Sequence, residues 1–138
     1  MLSVAAALYT RINADTGLQD LLGGTGRIYR ADQMVMPKSG GMIGYRQLAA
    51  VPGSIDGDVA RQNVETYAIS VFSNRLDEIE RRLILLLDNY THADASDAGH
   101  IVSVWEGRGP ELFDEDMQVP RADVMFRFYV VPKAVAPI

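Results

Sequence analysis

Residues 64–90, VETYAISVFSNRLDEIERRLILLLDNY, change their hydrophobic rhythm part-way along. The first ten set Tyr67, Ile69 and Val71 against Ala68, Ser70 and Ser73, an alternation that suits a half-buried strand. After them Leu76, Ile79, Leu83, Leu86 and Tyr90 recur at steps of three or four, the spacing of one apolar helical stripe. A strand therefore runs straight into an amphipathic helix. Both elements must bury a face against the same core, which predicts an α+β fold. Asn74 is placed to cap this helix, with Asp77, Glu78 and Glu80 near the positive end of its dipole.

Upstream, Ser3 caps a predicted helix over 4–14 whose apolar face is Val4, Ala5, Leu8, Tyr9 and Ile12. Gly17 interrupts it, LQDLL at 18–22 adds a helical turn, and GGTG at 23–26 predicts a turn. RIYRA at 27–31 reads as a short strand and MVMPKSGG at 34–41 as a loop. MIGYRQLAAV at 42–51 predicts a longer strand, closed by Pro52 and Gly53 and partnered by 64–73. Between them, the polar connection 51–63 is too long for a tight turn. It is either a disordered loop or an extended functional hairpin.

Downstream, THADASDAG at 91–99 reads as a solvated loop, HIVSVWEG at 100–107 as a strand, and RGPELFDEDMQVP at 108–120 as a long acidic loop. RADVMFRFYVVP at 121–132 supplies the last strand. It sets Val124, Phe126, Phe128 and Val130 on one face and Asp123, Met125, Arg127 and Tyr129 on the other. The tail KAVAPI is expected to fray. The predicted order is αβββαββ: a mostly antiparallel sheet of four to five strands with two main helices on one face, in a single domain over 1–138.

Composition narrows the function. With 48% hydrophobic and 22% charged residues the chain is globular. The apolar start MLSVAAALYTR has no basic lead, so a secretory signal is not expected, and LILLL at 83–87 is far too short to span a bilayer. The absence of cysteine excludes disulfides, thiolate metal sites and cysteine nucleophiles. A net charge of −5 argues against general nucleic-acid affinity, which rests on cations displacing phosphate counterions. Eleven of the thirteen cations are arginine. Arginine codons in a G+C-rich genome account for this bias, as does the enrichment of arginine at protein interfaces.

Candidate chemistry is sparse. His92, Asp94, Asp97 and His100 share a segment and are donors that zinc or manganese accepts, yet their spacing follows no ligand rule, and a surface loop is the favoured reading. GGTGR lacks the Gly-Lys-Ser/Thr ending of a phosphate loop and follows a helix, so a helix stop is favoured. Asp114, Glu115 and Asp116 lack the alternating ligands and glycine of a calcium loop. No serine sits in a nucleophile elbow. No catalytic, cofactor or metal residue is assigned, and an enzyme is not expected. Trp105 is favoured as a core strand residue over an interface anchor. Leu85 and Leu87 widen the apolar surface of the 76–90 helix, to be covered by the sheet or by a neighbouring subunit.

Several of these pieces occur together in one known family. The stretch LYTRINADTGLQDLLG at 8–23, then GRIYRA at 26–31, the pair Tyr45 and Arg46 leading to VPG, then VETYAISVFS and its amphipathic helix, resemble the phage tail completion proteins. These are the tail terminators or tail-to-head joining proteins of phages and prophages. The resemblance spans about residues 2 to 131, and its motifs are structural. It implies a homohexameric ring on the head-proximal end of a long non-contractile tail tube. That ring ends tube polymerisation, presents a surface to the head connector or stopper, and does no chemistry. It also implies a virion protein assembled in the bacterial host cytoplasm, from a phage, prophage or gene transfer agent.

The partners implied are the chain itself, the major tail tube protein and the head connector, with no cofactor and no membrane. DNA passes the lumen without specific binding. Six copies at −5 would carry roughly −30, which would keep passing DNA off the wall. A ring of heterologous contacts needs two different patches per subunit. The segments 52–63 and 108–120 are candidates, with Arg61, Arg108 and Arg121 pairing across subunits with Asp56, Asp58, Asp114, Glu115 or Asp116. Two alternatives are a head-side neck or stopper protein and a small α+β enzyme or ligand-binding domain.

Overall fold

The computed structural model describes residues 3–34, 40–51, 55–56, 59–60, 63–92 and 99–132. In chain order it forms α1 (Val4–Asn13), α2 (Thr16–Leu22), β1 (Ile28–Arg30), β2 (Met42–Val51), β3 (Ile55–Asp56), β4 (Val59–Ala60), β5 (Asn63–Phe72), α3 (Leu76–Leu87), β6 (Tyr90–His92), β7 (Gly99–Arg108), β8 (Leu112–Asp114) and β9 (Val119–Pro132). The main sheet runs β1-β2-β5-β9-β7-β6, with β8 also beside β9. The α+β class and the packing of helices on one sheet face hold as expected. The sheet is larger than expected, with seven strands, and mixed, because β1 pairs parallel to β2. Strands of three residues are too short to show an alternation, which is why β6 and β8 read as loop.

The predicted strand-to-helix switch is present. β5 pairs antiparallel with β2, Ile69 opposite Tyr45, and with β9 on its other side, Ile69 opposite Val124. Tyr67, Ile69 and Val71 share the helix-covered face with Val124, Phe126 and Phe128, and α3 lays Leu76, Ile79, Leu83, Leu86 and Leu87 onto it. α1 adds Val4, Leu8 and Ile12, and α2 adds Leu18 and Leu22.

The helix ends differ from expectation in instructive ways. Ser3 does cap α1, accepting from the Ala6 amide at 3.3 Å. Asn74 does not cap α3: the Ser73 hydroxyl accepts the Arg75 amide at 2.9 Å, closes the turn one residue early, and delays the helix to Leu76. Nor does Gly17 break a helix. It lies in the first turn of α2, which Asp15 caps by accepting the Leu18 amide at 2.8 Å. Asp15 also takes two bonds from the Arg82 guanidinium of α3, at 2.7 and 2.6 Å. A Cβ on Gly17 would stand 3.0 Å from that guanidinium, so the glycine leaves room for the clamp between the two helices. Arg82 holds the Asp15 carboxyl below the usual carboxylate range. The GGTG stop is as read: Gly23 is left-handed at φ 92°, and the Gly23 and Gly24 amides return to the carbonyls of Asp20 and Gln19.

Candidate interaction surfaces

Coverage of the sheet stops abruptly along β2. Met42 to Tyr45 are buried, while Arg46 to Val51 are all exposed. The cause is geometric: β1 pairs with β2 at Ile43, Gly44 and Tyr45 and ends there. Beyond Tyr45, one edge of β2 has no strand partner among the described residues, and a bulge between Gln47 and Ala49 turns Leu48 outward, 46% exposed. Val51 is 63% exposed. Within the 51–63 connection the described residues form a separate short antiparallel pair, β3 with β4, Ile55 opposite Ala60.

The other candidate segment, 108–120, is a hairpin end and not a loop. β7 and β8 run in succession alongside β9, with Leu112, Phe113 and Asp114 opposite Arg121, Pro120 and Val119. The Asp114 carboxylate accepts the Met117 amide at 2.9 Å and Gln118 takes a positive φ of 57°, which closes the turn at 115–118. Leu112 and Phe113 are 56% and 59% exposed on this strand. Exposed acids, Glu111, Glu115 and Asp116, flank them.

Trp105 is not a core residue. It stands opposite Phe126 but is 41% exposed, immediately before a bulge between Trp105 and Gly107. The Asp88 carboxylate caps its outward amide at 3.0 Å. Leu85 and Leu87 part company: Leu87 is buried in the core and Leu85 is 69% exposed on the far side of α3.

The expected interface residues fall into separate places. Asp58 and Arg61 lie outside the described residues, as do Asp94 and Asp97, and Asp56 is described only as backbone in β3. Arg108 is engaged within its own chain, donating to Asp77 and Glu80 of α3 at 3.0 and 3.1 Å and to Glu111 at 3.1 Å. Arg121 lies over the Phe72 ring at 4.9 Å. Asp114 ends β8 and is half-buried, while Glu115 and Asp116 are exposed in the turn that follows.

His92 is likewise not a loop residue. It belongs to β6, buried against Tyr90 and Phe128 with ring centroids 4.8 and 5.9 Å away. The Ser103 hydroxyl donates to the Leu87 carbonyl at 2.6 Å, so its oxygen accepts from His92 Nε2 at 2.9 Å. Burial, with the Arg11 cation second, pushes the imidazole down to about 4. It is a neutral, structural histidine. Among the described residues no group of three or more His, Cys, Asp or Glu side chains could hold a metal.

The sheet face away from the helices carries a polar chain. Arg46 donates to Asp123 at 3.2 Å, Ser70 donates to Asp123 at 2.6 Å, and Arg127 pairs with Glu106. A cleft of about 400 Å³ lies beside β1 and β2, lined by Tyr45, Gln47 and Tyr67 among others. Nearby, burial raises the Glu65 carboxyl against a weaker opposing bond from Tyr67. A second cleft, about 480 Å³, lies between the end of α2 and the 117–119 turn. Both open to solvent.

No family model matches the chain, and no curated protein matches it in sequence. The structure superposes on a chain from the virion of a native gene transfer agent particle with a TM-score of 0.71. The fold is shared. The alignment covers 93% of this chain and 94% of that one, at 21% identity.

Proposed function

We propose that this chain is a structural protein of a phage-type virion that caps the head-proximal end of a tail tube and joins tail to head as a homo-oligomeric ring. The observation that carries the reading is the nearly full-length likeness to a chain of a gene transfer agent virion. The independent resemblance of residues 8–30 and 64–90 to tail completion proteins supports it. So do the surfaces: exposed apolar side chains gather at the outer end of β2 and on β8, whereas the clefts are open to solvent. The partners in this reading are further copies of the chain, the tail tube subunit and the head connector.

The test is tube growth. Tail tube subunits of the same particle are polymerised with and without this protein, and tube lengths are read by electron microscopy. Bounded tubes with extra density at one end are the expected result. Tubes that grow unchecked and carry no end density would overturn the capping role, and binding to the isolated head connector alone would move the protein to the neck.

A further inference from the structure

The two edges of the sheet carry opposite charge. The described residues of 27–51, which hold β1 and β2, contain Arg27, Arg30 and Arg46 against Asp32, a net +2. Residues 104–118, which hold the end of β7 and all of β8, contain Glu106, Glu111, Asp114, Glu115 and Asp116 against Arg108, a net −4. In the strand order these edges lie on opposite sides of β5 and β9. Each also presents apolar side chains where strand pairing has run out: Leu48 and Val51 on the first, Leu112 and Phe113 on the second. An exposed apolar edge is a template for another strand unless something covers it, and neither 46–51 nor 112–114 holds a lysine or proline to blunt it.

We infer that these edges are each other's partner in adjacent copies of the chain: the Leu48–Val51 edge of β2 in one copy lies along β8 of the next, Leu48 against Phe113. Here Glu115 and Asp116 approach the neighbour's Arg30 and Arg46. The contact is heterologous, since the two patches differ, and its repetition closes a ring when the rotation per copy divides a full turn without a rise. Charge sets its polarity. Two β2 edges would bring like charges together, and so would two β8 edges. Arg30 and Arg46 already hold Asp32 and Asp123, but both ion pairs are on the surface, and a guanidinium has donors beyond those two bonds.

This inference rests on the ring reading, and the absence of cysteine allows it to be tested apart from that reading. The full chain is made with L48C, with F113C, and with both, and is oxidised at high concentration, alone and on tail tubes. The double variant is expected to give a ladder of covalent oligomers ending at ring size. A mixture of the two single variants is expected to give a cross-linked dimer that neither forms alone. Rings seen by light scattering or microscopy without a 48–113 cross-link would overturn this contact and leave the ring standing. Dimers from L48C alone or F113C alone would overturn the contact and the ring together, as would a chain that stays monomeric in every condition. Since exposed cysteines can capture passing contacts, charge supplies the second arm. R30E should weaken association about tenfold, and E115R with D116R in the neighbour should restore it. Unchanged association in R30E, or failure of the reversed pair to rescue it, would also overturn the contact.

Discussion

The inner and outer halves of the β2–β5 ladder are built from similar residues and meet opposite fates. Met42 to Tyr45 and Tyr67 to Phe72 are buried, while Leu48, Ala49, Ala50 and Val51, no less apolar, face solvent. Both halves pair with β5, apart from the bulge at Leu48. What differs is cover: helices and β1 lie over the inner half and end at its border. Apolar character in a strand states that something must cover it. It does not state whether that cover comes from the same chain.

The comparison breaks most easily at Phe126, fully buried opposite Tyr67 of the covered half. Phe126→Ala should cost about 3–5 kcal/mol in urea unfolding, and a loss below about 1 kcal/mol would mean that this half is not the stabilising core. Acid should act there next. His92 goes from an ordinary 6.5 to about 4 in the fold, so the unfolded chain binds the extra proton between those values. Stability from this burial is complete above pH 6.5 and falls by about 3 kcal/mol as pH drops to 4, with Arg11 the charged neighbour that opposes protonation. His92→Leu should flatten the stability profile in that window.

The helical cover has its own fastening. Asp15→Ala removes the α2 cap and both bonds from Arg82 and should lower stability by about 2 kcal/mol, while Asp15→Asn, keeping the cap, should lose less. The smallest effect belongs to the uncovered half. Leu48→Ser and Val51→Ser should shift the unfolding midpoint of the monomer by less than about 0.5 kcal/mol while weakening self-association. A large destabilisation of the monomer would erase the distinction between the halves.

Local pattern made the core legible. The rhythm of 64–90 identified β5 and α3 because both bury one continuous face, and the alternation of Val124, Phe126 and Phe128 did the same for β9. What escaped depends on partners distant in sequence. The parallel pairing of β1 and β2 leaves no local trace. β8 is held by β9 and not by its own composition, so its acids read as loop. Ser73 took the turn that Asn74 was expected to cap, a choice between two good hydrogen-bonding residues that side-chain geometry settles. Trp105 alternates in step with Ile101 and Ser103, yet only those two are buried, and the alternation does not show where burial stops. The candidate interface segments stood out by length and acidity, which leave no trace of pairings. Arg108, for one, spends its donors on Asp77, Glu80 and Glu111 of its own chain.

β9 is the last strand in sequence and stands between β5 and β7 in the sheet. A nascent chain that has emerged only as far as residue 118 holds α1, α2, α3, β2 and β5 but lacks the strand that joins the two sides of the sheet. Closure therefore waits for the final stretch of synthesis, and these pairings between distant residues imply slow folding for a domain this small. Until then Leu48 and Val51 sit on an incomplete sheet. In the proposed ring, growth is thereby reserved for chains translated at least through β9.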